Sequence, residues 1–101
     1  APPLVACYGV VARYLGLLAS AMQRWGDAER HFEAALELNA RQGGRPWVAR
    51  TQQGYAEMVA ARGNGSERAA LLSREALATA RELGMQGVAA RAAALQERLG
   101  A

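Results

Sequence analysis

The sequence predicts an all-α chain, a solenoid of antiparallel helical hairpins with two hairpins and one capping helix. Three observations carry that expectation. The composition forms helices: 51% of the 101 residues are hydrophobic but only 6% are aromatic. Ala and Leu supply most of the apolar bulk, beside Arg, Glu, Gln and Met. Five apolar stripes at helical spacing are separated by glycine-containing breaks. The same pattern returns after about forty residues.

The first helix is expected from about Leu4 to Arg24, after a proline start suited to an N-terminal turn. Val11, Leu15, Leu18 and Met22 share one face at spacings of four, three and four, and Gly26 is the expected stop. The apolar run 4–22 is broken by Gly9, Arg13, Tyr14 and Gly16, so it reads as a core helix and poorly as a membrane span. Asp27 is placed to cap the second helix, which should run to about Gln42 and end at Gly43-Gly44. Ala28, Phe32, Ala35, Leu36 and Leu38 make its apolar side.

Pro46 opens the third helix, to about Arg62, with Val48, Thr51, Tyr55, Met58 and Val59 in one stripe. Gly63-Asn64-Gly65 breaks the chain, and Ser66 is a suitable cap for the fourth helix. That helix carries Ala69, Leu72, Ala76, Ala80 and Leu83 and stops at Gly84. The fifth, about Gly87 to Leu99, has one narrow stripe of Val88, Ala92, Leu95 and Leu99. A charged back suits it to cap a stack, so it is expected to dock on the second hairpin. The expected layout is one domain over 1–101, with hairpins at about 4–42 and 46–84 and a capping helix at about 87–99. Short connections make consecutive helices antiparallel. The chain opens without Met, which suggests a fragment of a longer protein.

The repeat is visible residue by residue. Leu15-Gly16 aligns with Tyr55-Ala56, Ala28 with Ala69, and Val48-Ala49 with Val88-Ala89, at offsets of 40, 41 and 40. Gly16 is the small position of the first hairpin, Trp25 closes it, and Ala28, Phe32 and Ala35 follow in the second helix. Small residues permit close helix approach and large ones fill the gap beside them. This arrangement resembles the tetratricopeptide repeat, which implies a right-handed solenoid. The second hairpin keeps Tyr55-Ala56, Gly63, Ala69 and Ala76 but has Ser73 where the aromatic would stand. Ala40 replaces the proline that usually ends the second helix, so that helix should be long, which explains a period of forty. The run Asp27 to Gly63, followed by 76–85, is similar to the C-terminal repeats of large bacterial signalling ATPases. In that family such repeats often share a chain with a LuxR-type DNA-binding domain or a nucleotidyl-cyclase domain.

Other chemistries find little support. The net charge is +3, all basic residues are Arg, and they are interleaved with Glu along the chain. That describes a solvated surface and not a nucleic-acid footprint. Cys7 is the lone cysteine, read as a small buried hydrophobe, and the cytoplasm is the expected compartment. Gly63-Asn64-Gly65-Ser66 precedes a helix but lacks the lysine of a P-loop. His31 has only Glu29, Glu33 and Glu37 near it, a poor transition-metal set. A solvated acidic face ended by Arg41 explains them better. Ser20, Ser66 and Ser73 have no placeable His or Cys partner, so no catalytic residue, cofactor or metal site is expected.

The remaining function is partner binding. The resemblance places the concave groove on the first helix of each hairpin, which selects Arg13, Leu17 and Ser20, and Arg50, Gln53 and Glu57. Leu17 stands where the Asn of a carboxylate clamp would be, which argues against that version of the groove. The expected partner is a protein or peptide segment, including another domain of the parent chain, without direct nucleic acid or membrane. Self-association as a homodimer, or an interdomain autoinhibitory contact, is the alternative.

Overall fold

The computed structural model describes the backbone of residues 3–100 and the side chains of 8–41 and 44–100. The expectation for Cys7 lies outside the described side chains. The described chain is all-α: α1 (Pro3–Ala21), α2 (Trp25–Leu38), α3 (Gly44–Arg62), α4 (Ser66–Leu83) and α5 (Gln86–Arg98). Consecutive helices pack as hairpins, and α3 alone touches all four others. The Cα extents are 41 × 32 × 17 Å. The shortest fits two helix layers at 8–10 Å spacing.

The central place of α3 explains its weak amphipathicity. Thr51, Tyr55, Met58 and Val59 are buried as the stripe predicts, but so are Ala49, Gln53, Gly54 and Ala56. Ala28, Phe32 and Ala35 bury the expected side of α2. Ala69, Leu72, Ala76 and Ala80 do so for α4, whereas Leu83 is exposed. In α5, Val88, Ala92 and Leu95 are buried and the helix packs on α4 and α3.

The centre of the fold is Phe32. Its ring lies against two glycines, Gly16 of α1 and Gly54 of α3. A Cβ added to Gly16 would sit 3.0 Å from the ring, and one on Gly54 3.3 Å from it. On its remaining side Phe32 stacks on Tyr55, with centroids 5.4 Å apart and planes 8° from parallel. Such a pair adds about 0.5–1.5 kcal/mol beyond its burial. The Tyr55 hydroxyl donates to Glu33 Oε2 at 2.6 Å, and Arg68 bonds the same oxygen at 2.7 Å. Burial, reinforced by the Glu33 bond, pushes the Tyr55 phenol up to about 12.

Docking through Gly16 decides the orientation of α1, and it reverses the expected core helix. Gly9, Gly16 and Ala19 are its buried positions, while Val11, Leu15, Leu18 and Met22 are exposed. The large side chains share the face opposite the glycines and cannot also point into the hairpin.

The helix ends also differ from the sequence reading. The α1 stop is Gln23, in the left-handed region at φ 59°, and not Gly26, which lies inside α2. The Arg24 N–H reaches the Ala19 carbonyl at 2.8 Å and the Gln23 N–H reaches Ser20 at 2.9 Å. Those paired bonds define a Schellman end, whose left-handed position usually takes Gly. Asp27 is not the cap of α2. It sits within the first turn and pairs with Arg24 at 2.6 Å and with Arg30. Gly65, at φ 78°, is the N-cap of α4, with Ser66 its first helical residue. The long second helix is real but irregular: after Leu38 it widens into a π-helical turn, Asn39–Gly43. There Asn39 is buried and its Nδ2 donates to Thr51 Oγ1 at 2.9 Å. The tetratricopeptide-like solenoid predicted from sequence is therefore the observed class, lengthened by this turn.

Gly16→Leu is expected to force Phe32 aside and destabilise the chain by at least about 1–3 kcal/mol in urea unfolding. An unchanged midpoint would mean that the glycine contact carries no packing constraint. Gln23→Gly should act oppositely, relieving a left-handed non-glycine residue. We expect a gain of about 0.5–1 kcal/mol, seen as a higher Tm.

Candidate functional site

One face of the slab is built from α1, α3 and α5. Short connections and alternating direction place these three helices side by side, with α2 and α4 behind them. A cleft of about 460 Å³ opens there, lined by Arg13, Arg50, Arg91 and the segment Gly84–Val88. A second, of about 470 Å³, adjoins Glu57, Leu95 and Arg98. Each of the three helices thus contributes one guanidinium to the first cleft.

These groups have different supports. Arg50 is half-buried and its guanidinium lies 4.9 Å above the ring of Trp47, a cation–π contact within α3 that fixes its position. Arg91 binds Glu57 through two parallel bonds, Nε to Oε2 at 3.0 Å and Nη2 to Oε1 at 2.5 Å. Among the described residues Arg13 has no such partner. Its Nε is shut off from water without a hydrogen bond. Burial lowers its pKa first, followed by the like charges of Arg91 and Arg50, with Glu57 opposing them. The fold therefore holds three cations within mutual influence and faces them with one carboxylate, itself already occupied.

Glu57 is held from below. The Gln53 amide donates to Glu57 Oε2 at 3.0 Å. The Gln53 oxygen lies 3.1 Å from the hydroxyl of Ser73 in α4, which is also 3.1 Å from the Ala92 carbonyl of α5. The single Ser73 proton serves one of these acceptors at a time. Burial alone would raise the Glu57 carboxyl. The bonds from Arg91 and Gln53, with the charges of Arg91 and Arg98, outweigh it and hold the group below its ordinary value.

Of the six positions selected from the sequence, Arg13 and Arg50 line the first cleft, and Glu57 lines the second and reaches the first through its bonds to Arg91. Gln53 lies beneath it, fully buried, and works through Glu57. Leu17 and Ser20 are half-buried and line neither cleft, and Leu17 instead packs beside Gly54 and the core. Arg91 and Arg98 of α5 were missed. The sequence did carry a signal for them, because Val48-Ala49 returns as Val88-Ala89 and makes α5 a third helix of the groove-lining kind. The acidic side of α2 behaves as expected at Glu37, which pairs with Arg41 at 2.9 Å. Glu33 is instead engaged by Tyr55 and Arg68. Among the described residues no group of three or more His, Cys, Asp or Glu is placed to hold a metal ion. No described helix is long and apolar enough to cross a membrane.

A family model described as tetratricopeptide repeat matches residues 9–82, covering most of α1 and all of α2 and α3 and nearly all of α4. Neither the curated proteins nor the solved structures yield a match.

The depressed Glu57 carboxyl makes a test by pH. Its stabilising effect should be complete above the ordinary value of 4.5 and fade as pH falls through the lower folded value. Glu57→Gln should thus be less stable than the parent at about pH 7, and the gap should narrow as pH falls below 4.5 and through the lower folded value. Urea midpoints across that range check this, and a gap constant with pH would contradict it.

Proposed function

The chain belongs to the tetratricopeptide-repeat family, and on that footing we propose that its cleft holds an acidic or amphipathic segment of a protein partner. Repeats of this family are generally non-catalytic scaffolds for protein interaction. The carrying observation is the convergence of Arg13, Arg50 and Arg91 on one cleft, with Glu57 committed to Arg91. Arg13 and Arg50 retain donors for a carboxylate, and the planar fork of a guanidinium engages both carboxylate oxygens. A partner carboxylate there would relieve the repulsion among the three cations. We place this activity in the cytoplasm, within a bacterial signal-transduction or transcription regulator. The support for that setting is the similarity of 27–63 and 76–85 to the repeats of signalling ATPases. The segment bound is then a neighbouring domain of the same regulator or a protein it controls.

The test uses labelled helical peptides that differ only in carrying Glu or Gln at their exposed positions. The Glu series should bind more tightly, and its advantage should shrink with salt, since exposed charges are screened over about 8–10 Å near physiological ionic strength. Arg13→Glu with Arg50→Glu should abolish the preference while leaving the helical circular dichroism intact. Equal binding of both series, or a double variant as tight as the parent, would remove the cleft as the interface.

A further inference from the structure

The arginine cleft holds more positive charge than one carboxylate can balance. Arg13 of α1, Arg50 of α3 and Arg91 of α5 all line it, and among the described residues no Asp or Glu does. Glu57 reaches it only through its two bonds to Arg91. Three cations against that one anion leave two positive charges uncompensated. The donors also stand on three different helices, so they approach a bound group from three sides.

The backbone adds donors to the same place. Gln86, Gly87 and Val88 line the cleft and form the first turn of α5. That turn contains no acidic residue, and its N-cap, Met85, makes no side-chain capping bond. The Gln86 N–H reaches the Gly84 carbonyl at 3.1 Å and the Ala89 N–H reaches Met85 at 3.0 Å. Among the described residues the Gly87 and Val88 N–H groups have no backbone acceptor. Gly87 is exposed, and the space where a Cβ would stand is empty to 4 Å. A ligand can therefore come close to these N–H groups, and the start of a helix favours an anion. The arginines define the site, and the helix start adds to their donors.

We propose that this cleft recognises a phosphorylated side chain on the partner segment. The proposal rests on the reading of the cleft as the partner site and specifies what the site takes. A carboxylate has one charge and two oxygens in a plane, which a single guanidinium fork satisfies. A phosphate monoester carries about 1.5–2 negative charges near pH 7 and three acceptor oxygens. The second ligand matches both the two uncompensated charges and the three-sided supply of donors. Arg13, Arg50 and the Gly87–Val88 N–H groups can each serve a different oxygen. Arg91 keeps its bonds to Glu57 and contributes its field.

Fluorescence anisotropy on the whole chain tests this with three peptides of one sequence, bearing phosphoserine, Glu or Gln at a single position. The phosphoserine peptide should bind about tenfold or more tighter than the Glu peptide, and the Glu peptide tighter than the Gln peptide. Gly87→Glu places a carboxylate of the chain itself at the start of α5. It should leave the Tm equal or higher, because Glu suits the first turn of a helix better than Gly. It should nevertheless weaken the phosphoserine peptide about tenfold. Gly26→Glu makes the same charge change in the first turn of α2, outside the cleft, and should leave binding unchanged. If phosphoserine binds no tighter than Glu while Glu still exceeds Gln, the cleft remains the partner site and the phosphate proposal is overturned. If all three peptides bind equally, both readings fall. Equal losses from Gly87→Glu and Gly26→Glu would show a general charge effect and also overturn the proposal. So would inorganic phosphate that displaces the peptide at the peptide's own concentration, because the site would then take the free ion and not the segment.

Discussion

The position of Phe32 between two glycines is the constraint from which the rest of the molecule follows. A benzyl ring needs both neighbours to lack a side chain if three helix backbones are to approach it together. Gly16 and Gly54 meet that need on α1 and α3, and Tyr55 closes the remaining side. With the ring fixed, the rotation of α1 is fixed, and with it both of its other faces. Arg13 is carried into the cleft and the Val11–Leu15–Leu18 row is carried outward. The groove and the apolar face of α1 are thus two consequences of one steric fit.

The second hairpin solves the same problem with different chemistry. Ser73 stands where the first hairpin has Phe32, and no aromatic wedge is available. Its hydroxyl instead links Gln53 of α3 and the Ala92 carbonyl of α5, while Ala76 and Ala80 let the helices close around it. At this one position the first repeat uses volume and the second hydrogen bonds, while Met58, Val59, Ala69 and Leu72 supply the apolar packing of the second hairpin. The polar solution has a functional by-product, because the Ser73–Gln53 chain ends on Glu57 and sets the orientation of a carboxylate in the groove. A bond network inside the core thereby governs the charge pattern at the surface.

Much of this was legible in the sequence, and the exceptions have physical reasons. Five helices, their order and the buried stripes of α2 to α5 follow from periodicity. The period of forty pointed to a long second helix, but nothing in Asn39–Gly43 distinguishes a π-helical turn from an ordinary one before Asn39 is seen bonded to Thr51. Hydrophobic spacing misled for α1, because its largest apolar residues and its glycines lie on opposite faces and close approach takes precedence over apolar bulk. Glycine misled at the first turn as well: Gly26 looked like a stop, while Gln23, with no propensity for the conformation, was forced into it by the Schellman bonds. In the groove, Arg13, Arg50 and Glu57 could be selected by register. Gln53 is internal because α3 is covered from both sides, a burial no single helical pattern reveals, and Arg91 was missed by treating α5 only as a lid.

The cleft is cationic without a single lysine, since every basic residue of the chain is arginine. A guanidinium stays protonated throughout the physiological range, and it is not a substrate for the acetylation that silences an ammonium. The positive field of this groove is therefore set once, at translation, and neither mild acidification nor lysine modification can tune it. For the acidic partner proposed above, graded control would then have to be written on that molecule, in the number of negative charges it carries.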